Sequence, residues 1–291
     1  MTEDQPRPLA GIFFTLLGGA VFSCSNATAK YLATRYPAGE TLFVRSIVAL
    51  LILLPLLKWA DVKAMAQPGQ RGLQLLRCLC SAIEVGFYYW AIAWLGLTEI
   101  STIYLASPIY ITAMSALFLR EQVGWRRWAA IMVGFAGVIV ALRPGQGALS
   151  GPALIAVAGS LLYATSLVAT RRLRGTPTPL LVASQVAALA IPTAIPIGWI
   201  VPTGFDLAAL LAVGAIAAAG YACVNRGLQL APASIVAPFG YASIIWASLF
   251  GYFLFGDLPG HSTLLGAAMI VGAGLFILLR ERRPTSTSST A

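Results

Sequence analysis

Ten apolar stretches of nearly membrane-spanning length follow one another along this chain of 291 residues, with short connections between them. In a helix, about 20 apolar residues cross a hydrocarbon core about 30 Å thick. Strands of a membrane barrel would alternate apolar and polar residues, whereas these stretches are apolar all round. The sequence therefore predicts an all-α integral membrane protein with ten transmembrane helices. Their predicted bounds are 9–31, 38–57, 73–95, 100–119, 127–142, 151–170, 180–201, 207–225, 232–255 and 262–279.

Composition supports a membrane protein independently of these stretches. Hydrophobic residues make up 58% of the chain and charged residues 10%, with a mean hydropathy of +0.82. A soluble domain carries about 25% charged residues, so this chain has too few to cover a surface in water. The first apolar stretch has no small-residue cleavage pattern behind it, so we expect a retained helix rather than a signal peptide.

The net charge of +9 is a signal of topology. With the N-terminus inside, 15 of the 19 Lys and Arg residues, Arg77 among them, fall on the inner side, three fall outside (Lys30, Arg35 and Arg143), and Arg45 lies within a span. Cytoplasmic loops retain positive charge. We therefore expect a multi-pass protein of the bacterial inner membrane with both termini in the cytoplasm. Its expected partners are membrane lipids rather than nucleic acid.

An internal repeat divides the chain into two halves. Leu97–Val123 and Gln229–Pro259 align at an offset of 136 residues, which places Asp257 on Glu121. We expect these two carboxylates to accept backbone N–H groups in their own turns rather than to act as gates.

The first spans of the halves align at an offset of 141 residues, with Arg171 on Lys30. Because each half has five spans, the second half is inverted. Inverted repeats are usual in secondary transporters, with the substrate at the midplane. The predicted units are a first repeat over 1–144, a second repeat over 150–283 and a disordered tail over 284–291.

The residues of both halves resemble the EamA type of the drug/metabolite transporter superfamily. In the second half the pattern is APASIVAPFxY from Ala231, then FGDxP from Phe255, then Gly266, Gly272 and Gly274. In the first half it is Pro37, Arg45, Pro108, Glu121, Gly134 and Gly137. Two departures are Asp257, where many members have Glu, and Ile244, opposite Pro108. The resemblance implies a ten-helix carrier of two inverted five-helix repeats that exports small metabolites, such as amino acids, including aromatic ones.

Arg45 and Glu84 are ionisable residues within predicted spans. Such a side chain at membrane depth costs at least about 2.5–3.5 kcal/mol, so each is a functional hypothesis. Their depths differ by roughly 6 Å at 1.5 Å per residue, which places them within reach of each other. They can bind the carboxylate or amine of a zwitterionic substrate, form an internal ion pair, or couple transport to protons through Glu84. Gln185 is the second-half counterpart of Arg45 and can hydrogen-bond a substrate.

Aromatic residues are concentrated in the middle spans. Tyr88, Tyr104, Tyr163 and Trp246 are candidates to line a cavity, because aromatic walls with a few polar anchors suit a flat or aromatic ligand. Trp residues nearer the span ends are explained by anchoring at the membrane interface.

Small polar residues and prolines complete the candidates. Asn26 either packs helices together or contacts substrate. Pro108, Pro232 and Pro238 remove backbone donors and free carbonyl groups, so each marks a hinge, a cavity wall or a simple kink.

No catalytic motif is visible in the sequence. His261 is the only histidine, and no HExxH, GxSxG or phosphate-binding loop is present. We expect no enzyme activity, cofactor or metal. The predicted function is export of amino acids, aromatic ones included, or related small metabolites by alternating access. The alternatives are export of drugs, nucleosides or another metabolite by the same fold, and a structural or enzymatic membrane subunit. The sequence does not predict an oligomeric state.

Overall fold

A computed structural model describes most of the chain, and over that part the protein is built from helices. The described residues are 7–33, 35–58, 63, 68–92, 94, 103–142, 151–195, 198–202, 204–243, 245–246, 249, 253 and 261–281. The predictions about Asp257, Arg143, the side chain of Lys30 and the tail 284–291 lie outside these residues.

Ten helices run through the described residues, and the predicted all-α membrane fold is confirmed. In the first half they are α1 (Pro8–Ala33), α2 (Ala38–Leu53, extended by a 3₁₀ turn at Leu54–Leu56), α3 (Pro68–Ile92), α4 (Ser107–Phe118) and α5 (Trp125–Leu142). In the second half they are α6 (Gly151–Arg172), α7 (Thr178–Thr193), α8 (Phe205–Leu230), α9 (Ala233–Val236, extended by a 3₁₀ segment at Ala237–Ala242) and α10 (His261–Glu281).

Four of the described helical segments are long and apolar enough to cross a membrane by themselves. They are Pro8–Thr28, Ala38–Leu56, Gly151–Arg172 and Phe205–Leu230. Helix α3 is as long but carries three charged residues, Arg71, Arg77 and Glu84. It therefore depends on its neighbours to accommodate polar groups.

Packing follows the repeat. Helix α1 packs on α8 and its counterpart α6 packs on α3, while α2 packs on α8 and α7 packs on α3. Helix α5 packs on its own counterpart α10, and α2 on its counterpart α7. Helices of each half thus pack mainly against helices of the other half, as expected for two inverted five-helix repeats.

Two glycines fix the register between the halves. A Cβ on Gly18 of α1 would lie 2.8 Å from Val224 of α8. A Cβ on Gly159 of α6, its counterpart at an offset of 141, would meet Phe87 of α3 at 3.4 Å and the Tyr104 hydroxyl more closely still. Both helix pairs approach closely because these positions have no side chain. Phe87 and Val224 then correspond, so α3 and α8 are offset by 137 residues.

Prolines interrupt the regular α-helix in two of the predicted spans. The span predicted over 180–201 is wrong at its end, because α7 stops at Thr193 and residues 198–202 are not helical. Pro192 and Pro196 each lack a backbone donor, and a proline also disfavours helical geometry in the residue before it. The span predicted over 232–255 starts with only the four-residue α9 before changing to a 3₁₀ segment.

The three candidate prolines stand where helical elements begin. Pro108 is at the second position of α4, Pro232 immediately precedes α9, and Pro238 is at the second position of the 3₁₀ segment. A missing N–H is tolerated there because the first turn has no internal acceptor for it. Pro108 and Pro232 therefore mark starts of helices, whereas Pro238 follows α9 without a break and marks the change from α-helix to 3₁₀ geometry.

Candidate functional site

Five predicted site residues come together between the halves. The first half contributes Arg45 of α2, Glu84 and Tyr88 of α3, and Tyr104, which precedes α4. The second half contributes Tyr163 of α6. The rings of Tyr88 and Tyr104 are 5.1 Å apart in an edge-to-face arrangement, and those of Tyr104 and Tyr163 are 6.4 Å apart. The result is an aromatic cluster that holds one guanidinium group and one carboxyl group.

Arg45 is held from the second half of the protein. Its side chain is 7% exposed, and its Nη2 donates a hydrogen bond of 2.8 Å to the hydroxyl of Tyr221 in α8. Tyr89 lies close enough to the guanidinium to interact with its charge. Within the described part of the chain, Arg45 Nε is buried and has no partner. One donor of this cation is therefore unused.

Glu84 lies opposite, among phenols. Its side chain is 9% exposed. The Tyr104 hydroxyl donates to the Glu84 backbone carbonyl at 3.5 Å and lies near the carboxyl group. The charges of Arg45 and Glu84 attract each other, yet no direct salt bridge between them is found among the described residues. Tyr163 is close enough to Glu84 to interact with its charge. Arg45 and Glu84 thus lie near one another without a direct ion pair among the described residues.

The sequence analysis missed three residues of this site: Tyr221, Tyr89 and Phe22. The rings of Phe22 and Tyr221 are 4.9 Å apart and edge-to-face. At the offsets that the glycines fix, Phe22 is the counterpart of Tyr163 and Tyr221 is the counterpart of Glu84. The offset of 141 already paired Phe22 with Tyr163, but finding Tyr221 needs the offset between α3 and α8, which the sequence does not fix.

Gln185 belongs to a different cluster. Its amide oxygen accepts from Nη1 of Arg77 at 3.3 Å, and its Nε2 donates to the hydroxyl of Ser81 at 2.7 Å. Arg77 is fully buried and also donates to the Leu181 carbonyl and the Ser184 hydroxyl at 2.8 and 2.7 Å. Arg77 is therefore a buried link between α3 and α7 rather than one of the loop cations with which it was counted.

Trp246 and Asn26 are at the margin of the site. The Trp246 ring lies against Gly19 of α1, 3.6 Å from a Cβ placed there, and its buried Nε1 has no partner among the described residues. Asn26 is exposed. Gly19, Phe22 and Asn26 share one face of α1 because they lie three or four residues apart. This face contacts Trp246 at Gly19 and Tyr221 at Phe22.

Where α1 begins, a carboxylate joins the halves. Glu121, between α4 and α5, accepts from the backbone N–H groups of Ala233 and Ser234 at 3.1 and 3.0 Å and from the Ser234 hydroxyl at 2.7 Å. Arg171 lies 3.6 Å from Glu121 and donates to the carbonyls of Leu228 and Gln229. The expectation that Glu121 accepts backbone N–H groups of its own turn is wrong, because its carboxylate accepts those of Ala233 and Ser234 at the buried start of α9, after Pro232.

At the other end of α8, phenols join the halves. Asp206 accepts from the hydroxyls of Tyr31 and Tyr36, both at 3.0 Å. The hydrogen bond from Tyr31 to Asp206 raises the pKa of Tyr31 above its ordinary value of 10.0. The pKa of Tyr36 is raised by burial first and by Asp206 second. Glu40 accepts from the backbone N–H of Ile200 at 2.9 Å.

The composition of the cluster bears on what it can bind. No group of three His, Cys, Asp or Glu side chains that could hold a metal ion occurs among the described residues. Cys24, Cys78, Cys80 and Cys223 are free thiols. The clustered charges and rings are suited to recognising a ligand by charge and by stacking.

Comparison with known proteins gives the chain's relatives. The sequence model of the EamA-like transporter family matches residues 9–143 and 151–279. The riboflavin transporter of Vibrio cholerae serotype O1 is 29% identical over 95% of this chain and 95% of its own length. The S-adenosylmethionine uptake transporter of Rickettsia felis is 26% identical over 98% of each chain.

A solved crystal structure has the same fold. It superposes with a TM-score of 0.76 and covers 96% of this chain and 98% of its own, at 19% sequence identity. At that identity the likeness concerns the fold alone.

Proposed function

Because this chain belongs to the EamA-like transporter family, we propose that it exports zwitterionic metabolites with an aromatic ring, aromatic amino acids foremost, by alternating access between its two repeats. The protein is a multi-pass membrane transporter of small metabolites, as its family and its named relatives are. The substrate class and the direction are the proposal.

The pairing of Arg45 with Glu84 carries this proposal. Both side chains are more than nine-tenths buried, and neither is directly neutralised by the other among the described residues. A buried charge is expensive unless it is paired. A ligand with a carboxylate and an ammonium group supplies the missing partner to each, the carboxylate to Arg45 and the ammonium to Glu84.

The tyrosines give the ligand its aromatic part. Tyr88, Tyr104 and Tyr163 stand next to Glu84 with ring separations of 5.1 and 6.4 Å. Aromatic rings stack on flat ligands and offer a hydroxyl at the edge. S-adenosylmethionine, named for one relative, combines an amino-acid group with a flat heterocycle in the same way.

The second candidate is an uncharged fused heteroaromatic metabolite of the riboflavin kind. Its support is the ring of phenols, together with the name of a relative that matches over 95% of this chain. Such a ligand uses the tyrosine rings for stacking and their hydroxyls for its polar chain. In that case Arg45 and Glu84 interact with each other rather than with the ligand.

The topology belongs to the same proposal. We place both termini in the cytoplasm, with repeats over 1–144 and 150–283. The backbone of Arg7 bonds to that of Leu230 at 2.9 Å, so the chain begins at the end where α8 finishes. Arg120, Arg126, Arg127, Arg171, Arg172 and Arg174 fall at that end by the helix bounds, as the positive-inside rule expects.

Counterflow into proteoliposomes tests the substrate class. Vesicles loaded with unlabelled solute are supplied with labelled tryptophan, riboflavin, S-adenosylmethionine, nucleosides and organic cations. Two analogues dissect the zwitterion: tryptamine keeps the ring and amine, and indole-3-propionate keeps the ring and carboxylate. We expect saturable accumulation of tryptophan that exceeds that of both analogues.

Other results separate the candidates. Riboflavin flux without tryptophan flux favours the second candidate. Saturable flux of none of these solutes contradicts both. The same vesicles with an imposed pH gradient test proton coupling through Glu84, and flux indifferent to the gradient contradicts it. Efflux of labelled tryptophan from cells that overproduce the protein tests the outward direction.

A further inference from the structure

Arg45 and Tyr221 together present two hydrogen-bond donors that have no acceptor in the described part of the chain, on one edge of the Arg45 guanidinium. Nη2 of Arg45 donates to the Tyr221 hydroxyl at 2.8 Å. Nε lies on the same edge of the guanidinium as Nη2, is buried, and has no partner in the described part of the chain. In the same part, the Tyr221 hydroxyl accepts this bond but donates none. An Nε–H and a phenolic O–H thus remain available side by side.

Tyr221 is itself held in place. Its ring meets Phe22 edge-to-face at 4.9 Å, and Gly220 leaves room for Phe22, since a Cβ there would lie 3.2 Å from that ring. On its other side Tyr221 packs against the core that Ala49 and Val186 share with Ala218. A ring fixed on both sides gives its hydroxyl a defined position, and a guanidinium bonded to that hydroxyl a defined orientation.

We infer that Tyr221 is a positioning and specificity-determining residue: it fixes Arg45 so that Nε–H and its own O–H together bind the carboxylate of the substrate. A carboxylate accepts two parallel donors in this way, and bidentate recognition adds geometric specificity to attraction between charges. The inference rests on the proposed transport of carboxylate-bearing metabolites. It names the groups that hold that end of the molecule.

The pseudo-symmetry supports the assignment. Tyr221 occupies in α8 the position that Glu84 occupies in α3, and Phe22 occupies in α1 the position of Tyr163 in α6. The carboxylate-binding group and the ammonium-binding group therefore sit at equivalent positions of inverted repeats. A ligand with opposite charges at its two ends fits only one way round between them.

Tyr221→Phe is the test, because it removes one oxygen and keeps the ring against Phe22. The KM for tryptophan in counterflow should rise about tenfold, the size expected for one hydrogen bond to a charged group. The KM for tryptamine, which has no carboxylate, should stay within about twofold. Tyr110→Phe also removes one phenolic oxygen, but from a ring that packs against the core of Ala164 and Val168 outside the site; it is the matched control and should leave the ratio of the two KM values unchanged.

The outcomes distinguish this inference from the proposed function. If wild-type protein transports tryptophan and Tyr221→Phe raises both KM values equally, or neither, the inference fails and the proposed function stands. If wild-type protein neither transports nor binds any carboxylate of the panel, both fail. Unfolding temperatures measured in detergent show whether Tyr221→Phe is as well folded as Tyr110→Phe. A KM ratio that shifts only in Tyr221→Phe supports the inference, since a general packing defect would not spare tryptamine.

Discussion

The two repeats use the same helix positions for opposite purposes. Arg45 in α2 contacts Tyr221 from the other half and keeps one donor free. Its counterpart Gln185 in α7 has both amide atoms engaged, one by Arg77 and one by Ser81. The first repeat thus presents a cation with a free donor to the site. In the second repeat, Gln185, Arg77 and Ser81 form a closed network, in which the side chains bond to one another.

This difference shows how an inverted repeat can hold one ligand rather than two. The fold alone offers two equivalent half-sites, because α2 and α7 make related contacts with α8 and α3. Arg77 fills the second half-site with a side chain of the protein. At the equivalent position, Gly214 contributes none, and a Cβ there would lie 2.8 Å from the Arg45 carbonyl oxygen. The difference between Arg77 and Gly214 thus makes the two half-sites unequal, so that only one of them is free to bind a ligand.

The largest effect should come from opening the closed network. Arg77→Met keeps an unbranched apolar chain but removes every hydrogen bond to Gln185, Ser184 and the Leu181 carbonyl. Each unsatisfied buried group costs about 1–3 kcal/mol, so we expect the free energy of unfolding to fall by about 3 kcal/mol. Thermal unfolding in detergent measures this, with the exposed Arg174→Met as control. Unchanged stability would show that the network does not hold α3 to α7.

A smaller effect should come from making the first repeat resemble the second. Arg45→Gln removes the cation while keeping a polar side chain, so carboxylate substrates should lose about 30-fold in affinity, or ~2 kcal/mol. Tryptamine should be much less affected, because it has no carboxylate to lose. Equal losses for tryptophan and tryptamine in counterflow would argue that Arg45 is only an internal partner of Glu84.

Much of this arrangement could be predicted from the sequence. The ten helices follow from hydropathy, and the proximity of Arg45 and Glu84 follows from their similar depth in antiparallel spans. Arg77 was misplaced because a guanidinium near a helix start has the same sequence signature whether it faces water or a neighbouring helix. Its partners Leu181 and Gln185 are 104 and 108 residues away. Tyr221 was missed because its role depends on the offset between α3 and α8, which only packing at Gly18 and Gly159 defines.

The two ends of α8 extend the comparison, since each joins the halves by a different chemistry. At one end Glu121 caps the start of α9. Glu121→Ala removes the acceptor and the charge, and should lower the free energy of unfolding by about 1–2 kcal/mol. Glu121→Gln keeps an acceptor oxygen and should cost about half as much. Unfolding temperatures of both variants test this order, and a Gln variant as damaged as the Ala variant would show that the charge beside Arg171 dominates.

The smallest effect concerns the other end, at Asp206. The pKa values of Tyr31 and Tyr36 are raised in the folded protein, so their contribution to stability is complete below their unfolded pKa near 10. It is lost as pH rises through the higher folded values. Asp206→Asn removes the carboxylate that both phenols share, and should make stability less sensitive to pH above about 10. Unfolding temperatures at neutral and alkaline pH measure the slope. Identical slopes would contradict the role of Asp206.

The burial of Arg77 also constrains how the protein is made. Helix α3 enters the membrane with a charge that costs at least about 2.5–3.5 kcal/mol when unpartnered. The groups that receive its hydrogen bonds on α7 are synthesised more than 100 residues later. At roughly 5–20 residues per second, α3 waits roughly 5–20 s for them. Until then Arg77 has its hydrogen bonds to Gln74 and Cys78 of α3 itself, and the second repeat supplies the others, so the two repeats assemble this buried site together.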